Sequence, residues 1–212
     1  MLQESYFDFV NGLYDNMKVQ TVVDQAAINE DSSLIPLLRK HGFKESFVEG
    51  IMQVNNCEFK WKDKENRGHY RYGNAKILSI ERICQDWELN EEEDPDRDEL
   101  NYFHFVDDVT EEWGVGIFSG EYACDSLYIY QSGSLRYLGL NMEGYIKMLI
   151  AARGCYYWQK SLVHYKNKES GLLNNDVFKE VLPHLFPEVN LDDFYKLYDS
   201  LYFEEEMVPH AK

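Results

Sequence analysis

Apolar and polar positions along the chain change period several times, and each change predicts an element. Tyr6, Phe7, Phe9, Val10, Leu13 and Tyr14 recur at three- and four-residue spacing, which lays an apolar stripe along one helix face. Asp31 or Ser32 is placed to cap a second helix through Lys40, and Gly42 stands where a helix commonly stops. Phe47, Val48, Ile51 and Met52 keep the helical spacing, so residues 1–55 read as a helical part. At Cys57 the period shortens to two. Cys57, Phe59 and Trp61 fall on one side and Glu58, Lys60 and Lys62 on the other, as in a half-buried strand, and the polar run from Asp63 to His69 predicts a hairpin turn into Tyr70 and Tyr72.

A short strand from Ala75 to Leu78 then leads into a helical turn capped by Ser79. Glu91 to Glu99, interrupted by Pro95, predicts a loop. Four strand-like runs follow, YFHFV, WGVGIF, SLYIYQ and LRYLGL, with Ser132-Gly133 as a hairpin turn. Gly114 and Gly116 lie inside strand text with another strand after them. They therefore mark a bulge or a close backbone approach, since a phosphate-cradling loop needs its glycines directly before a helix. Asn141 caps a helix carrying Tyr145, Ile146, Met148, Leu149 and Ile150, which stops at Arg153 and Gly154. Val177 to Leu182, closed by Pro183, and a helix through Phe194, Leu197, Tyr198 and Leu201, capped by Asn190 or Asp192, end the pattern. Helices, then strands, then helices predict an α+β fold: a single domain with a central, mostly antiparallel sheet and its packing helix over residues 57–163, flanked by the helical N-terminal part and by C-terminal helices over 172–206.

Composition narrows the partners. The 212 residues carry 38 acidic and 21 basic side chains, a formal net charge of −17. Phosphate backbones and anionic membrane surfaces would meet net repulsion, so neither nucleic acid nor membrane is an expected partner. No run of about 18 apolar residues occurs, and the opening MLQESYFDFV lacks a leader pattern, which predicts a cytoplasmic chain beginning at Met1. The charge is segregated. Asp86 to Asp125 holds 15 acidic residues against Arg97 alone, while Cys57 to Arg82 carries seven Lys or Arg against four acids. Such a dipolar surface would attract a cationic partner to its acidic region.

Candidate chemistry is sparse. The histidines, His41, His69, His104, His164, His184 and His210, form no ligand-spaced pairs, so no metal or other cofactor is expected. Cys57, Cys84, Cys124 and Cys155 stand alone and predict reduced, inert thiols. No Gly-x-Ser-x-Gly elbow singles out a nucleophile. Asp107-Asp108 and Glu111-Glu112 fall between two strands, where carboxylates make solvated turns, meet a partner, or hold a divalent ion. Of Tyr156-Tyr157-Trp158, at least one ring must cross to a second surface, and an exposed one would be a binding anchor.

From Lys76 to Val163 the chain resembles the SUKH superfamily, bacterial relatives of the yeast cell-wall-synthesis regulator domain. The resemblance rests on the strand and Ser-led helix of KILSIERI, the polar turn and Gly-bearing strand of FVDDVTEEWGVGIF, the aromatic strand SLYIYQ, and the helix with Tyr145, Met148, Leu149, Ile150 and Arg153. The helical N-terminal part and the run Glu91 to Glu99 lie outside that pattern. The resemblance implies an immunity protein, not an enzyme, that neutralises a cognate toxin by binding it. Nucleic-acid-cleaving toxins present basic grooves, so the expected contact is the acidic set Glu91, Glu92, Glu93, Asp107, Asp108, Glu111 and Glu112, with Trp113 as an apolar anchor. Two alternatives stay open: a divalent-metal hydrolase using Asp107, Asp108, Glu111 and Glu112, and an acidic regulatory scaffold without a toxin partner.

Overall fold

A computed structural model describes residues 2–26, 32–54, 56–65, 70–85, 98–110, 113–167 and 175–205. The chain runs through α1 (Leu2–Asp15), β1 (Val19–Ala26), α2 (Ile35–Lys40), α3 (Glu45–Ile51), β2 (Cys57–Asp63), β3 (Tyr72–Lys76) and α4 (Ile80–Ile83). It continues through β4 (Phe103–Thr110), β5 (Trp113–Phe118), β6 (Tyr128–Gln131) and β7 (Ser134–Tyr137), then α5 (Met142–Ala151), α6 (Trp158–Asn167), α7 (Asn175–Leu185) and α8 (Leu191–Leu201). The fold is α+β, with two antiparallel sheets among the described residues, ordered β1-β2-β3 and β4-β5-β6-β7. Two compact units assemble from non-contiguous stretches. One takes Met1–Ala26, Glu58–Ala75 and Glu143–Tyr202; the other takes Ala27–Cys57, Lys76–Met142 and Phe203–Lys212.

The first unit packs around β2. Phe59 and Trp61, both fully buried, project to the same side, as their alternation requires. Phe59 meets Phe9 of α1 edge to face at 5.1 Å between ring centroids, and Trp61 meets Phe186 at 5.3 Å. The indole N–H of Trp61 donates to the carbonyl of Arg153 at 2.7 Å. Two glycines make room for these rings. A Cβ at Gly73 would lie 2.4 Å from the Trp61 indole, and one at Gly154, where φ is +60°, would lie 2.3 Å from the Phe59 ring. Beyond β3 the backbone of Gly154 and Tyr156 pairs with Asn74 and Tyr72, covering that edge.

The ends of α5, α7 and α8 follow local chemistry. Helix α5 starts directly after Asn141 and closes through Arg153 N–H to Ile150 O and Gly154 N–H to Leu149 O, with Arg153 itself at φ +55°. Asn190, not Asp192, caps α8: its side-chain oxygen accepts the N–H groups of Asp192 and Asp193. Pro183 does not close α7, which continues to Leu185. A proline this near the end removes its own N–H bond to the preceding turn, and only a few residues remain to be carried past it. The three aromatics after α5 divide as chain geometry demands. Tyr156 lies against Tyr70 and Tyr72, Trp158 lies against Tyr145, and all of Tyr156, Tyr157 and Trp158 are buried.

The N-terminal part is not wholly helical. Val19–Ala26 is a strand, rich in β-branched residues, with Val19 buried and Gln20 exposed. Gly42 does end α2, at φ +79°.

The second unit is built on the meander β4 to β7. Ser132 and Gly133, at φ 49° and 76°, form its last hairpin turn with both central residues left-handed, the geometry that matches strand twist. Gly116 lies against β4 so closely that a Cβ would meet the carbonyl oxygen of His104 at 2.4 Å, and the β4–β5 register shifts twice, between Phe105 and Asp107 and between Asp107 and Thr110. The strand glycines therefore mark a close approach, and the extra residues that bulge the pair lie opposite them in β4. Ser79 caps α4, its hydroxyl accepting the Arg82 N–H at 3.4 Å.

Candidate functional site

The acidic set divides by position. Glu91, Glu92, Glu93, Glu111 and Glu112 lie outside the described residues. Asp108 stands at the surface, its side chain 48% exposed, 3.3 Å from Lys76 Nζ. An exposed pair of this kind leaves the carboxylate open to a competing cation, since such pairs contribute ~0–1 kcal/mol. Its neighbour Asp107 is fully buried and accepts the Lys76 backbone N–H at 2.9 Å. The adjoining segment covers the outer edge of β4, with Ile77 bridged to Asp107 and Leu78 N–H donating to Val106 O. Trp113 is 3% exposed on a strand buried along both faces. Asp107 and Trp113 are therefore corrected from surface contacts to interior groups. The β4 bulge turns Asp107 inward, and Trp113 has no solvent face to occupy.

A buried serine and histidine meet on the same sheet. His104 Nδ1 lies 2.8 Å from the carbonyl of Ile83, and Nε2 lies 2.8 Å from Ser119 Oγ. The carbonyl only accepts, so Nδ1 carries a proton, and in the neutral tautomer that follows Nε2 accepts the serine hydroxyl. The order resembles a nucleophile, a base and an orienting group. Yet Ser119 is 2% and His104 4% exposed, so the arrangement satisfies polar groups inside the unit. Its signal in sequence is only the antiparallel pairing that sets Phe103 opposite Phe118. Ser119→Ala leaves His104 Nε2 buried without that donor and should destabilise the protein by about 1–3 kcal/mol in urea unfolding. An unchanged midpoint would contradict this accounting.

A second polar cluster fixes the chain after α8. Lys44 Nζ lies 3.0 Å from Asp125 and 2.7 Å from Glu205, and the Ser46 hydroxyl donates to Asp125. Glu205 also accepts the backbone N–H groups of Asp125, at 3.0 Å, and Ser126, at 3.1 Å. Phe203 reinforces the attachment, donating its N–H to Gly139 O and accepting the Tyr137 hydroxyl. Burial alone would raise the Asp125 carboxyl, but the hydrogen bonds from Ser46 and Lys44 and the Lys44 charge outweigh it and hold it below its ordinary value. Burial would likewise lower Lys44, yet Glu205 and Asp125 hold it above its ordinary value.

The signs set two pH windows. The stability from Asp125 is present above its ordinary value of 3.8 and is lost as pH falls below it; that from Lys44 is lost only as pH rises beyond 10.5. Lys44→Met should therefore lower stability at neutral pH and flatten the loss of stability below pH 3.8, read as urea midpoint against pH. Parallel acid limbs for the two proteins would contradict the assignment.

The four cysteines are free and buried. Burial pushes the Cys84 thiol up to about 11, with the Glu81 charge adding to it, and burial likewise pushes Cys124 up to about 12. Cys155 is also raised, again chiefly by burial. Thiolates are scarce at neutral pH under these conditions, which makes the thiols poor nucleophiles. Among the described residues no group of three or more His, Cys, Asp or Glu side chains is arranged to hold a metal ion, and no helix is long and apolar enough to cross a membrane.

Comparison with models of known protein families, with curated proteins and with solved structures returns no match.

Proposed function

We propose that the protein is a cytoplasmic, immunity-type binding protein that neutralises a cognate basic toxin by covering its working surface with the acidic stretch from Asp86 to Asp125. The observation that carries this reading is the charge segregation: 15 acidic residues against one basic between Asp86 and Asp125. A nuclease or other nucleic-acid-directed toxin presents cationic groups to phosphates, and a carboxylate-rich stretch offers those groups a competing field. The contact set on this reading is Glu91, Glu92, Glu93, Asp108, Glu111 and Glu112. The hydrolase reading has less in its favour, because Asp107, one of its four carboxylates, is buried on the Lys76 N–H.

Growth supplies the test. Cells that make the toxin-domain protein encoded beside this chain should survive when this chain is co-expressed, and the two proteins should co-purify as a complex. Survival without a complex, or no protection at full expression, would overturn the reading.

A further inference from the structure

The first compact unit contains a cleft of about 310 Å³, at the small end of the ~300–1,000 Å³ range of ligand pockets. Its wall includes Phe9 and Phe186, and charged groups stand around it: Asp8 and Asp15 from α1, Arg153 from the end of α5, and Glu188 from the segment before α8. Asp8, Gly12 and Asp15 are spaced four and three residues apart, so they line one face of α1. Gly12 has open space beside it, where a Cβ would meet nothing within 4 Å.

Arg153 is the unusual member. The α5 terminus needs a residue with positive φ, a position that glycine fills at least cost, yet Arg153 stands there at φ +55°. Its backbone is held on both sides, by Ile150 O on its N–H and by the Trp61 indole on its carbonyl. Its side chain is underused. Among the described residues its buried Nε has no hydrogen-bond partner, and Nη2 makes one long contact of 3.4 Å to Glu188. Backbone strain borne by a residue whose guanidinium lines a cleft points to a ligand for that guanidinium.

The charges select among ligands. Three carboxylates would repel a phosphate dianion, and the guanidinium opposes a polyamine or a bare metal cation. A small molecule with both signs satisfies both sides. We propose that the cleft binds a free α-amino acid with an apolar side chain: Arg153 takes the carboxylate, Asp8 and Asp15 take the ammonium, and the side chain lies against Phe9 and Phe186. None of these residues belongs to the acidic contact set proposed above.

Calorimetric titration of the whole chain with L-leucine and L-phenylalanine tests the assignment, with N-acetyl-leucine and leucine methyl ester as ligands lacking one charge each. At least one amino acid should bind saturably, and each derivative should bind at least ~10-fold more weakly, the equivalent of losing one charged hydrogen bond. Two variants separate binding from folding. Arg153→Gly suits the left-handed backbone better, and Gly12→Leu raises helix propensity while filling the cleft. Both should keep or raise the melting temperature and abolish binding. No binding by either amino acid, binding retained in both variants, or equal binding of the derivatives would each overturn the proposal.

Discussion

Trp61→Ala should remove ~3–5 kcal/mol of stability, the range for truncating a large buried aromatic. Trp61 is fully buried, packs against Phe186, and holds the Arg153 carbonyl through its indole N–H at 2.7 Å. Collapse around the deletion is restricted because the backbone at Gly73 and Gly154 already lies against the neighbouring rings. Trp61→Phe separates the two contributions. It keeps most of the apolar area but removes the indole donor from Arg153 O, so about 1–3 kcal/mol should be lost. Urea unfolding followed by circular dichroism reads both. A loss under about 1 kcal/mol for Trp61→Ala would mean that β2 is not the centre of its unit's core.

Neutralising the retained acidic set, by Gln at Glu91, Glu92, Glu93, Glu111 and Glu112 and Asn at Asp108, should slow association with a basic toxin by ~10–100-fold at low salt. The effect belongs to the encounter. Charges attract over roughly a Debye length, ~10 Å at 0.1 M salt, before short-range contacts form. Added salt should therefore slow the wild type much more than the variant, and the two rates should converge. Stopped-flow fluorescence at about 20 and 300 mM salt measures this. Asp107 and Trp113 are left unchanged, because their burial makes any substitution there a test of folding.

The sequence pattern was most legible where one face is buried and the other wet. β2 alternates because Phe59 and Trp61 face the core while Lys60 and Lys62 are exposed. α6 has no such contrast: Trp158, Gln159, Lys160, Ser161, Leu162 and Val163 are all buried, so no helical period stands out. β1 is blurred in the opposite way, with Val22 half exposed where an inward alternation would make it polar. The interior placement of Asp107 depends on a register shift in β4, and a shift of one residue reverses which side chains face inward. Residue counting cannot register that event. Arg153 was legible only as a helix stop. Its proposed second role depends on a cleft assembled from α1 and the α7–α8 connection, more than 130 residues apart in sequence.

On the proposed reading this chain neutralises its partner by occupying it, and a titration of toxin activity distinguishes occupation from catalysis. With the toxin held well above the dissociation constant, activity should fall linearly and reach zero at about one equivalent of this protein, without dependence on incubation time once the complex has formed. Full inactivation by a small fraction of an equivalent, growing with time, would identify a catalyst instead. Undiminished toxin activity at excess would contradict the binding account altogether.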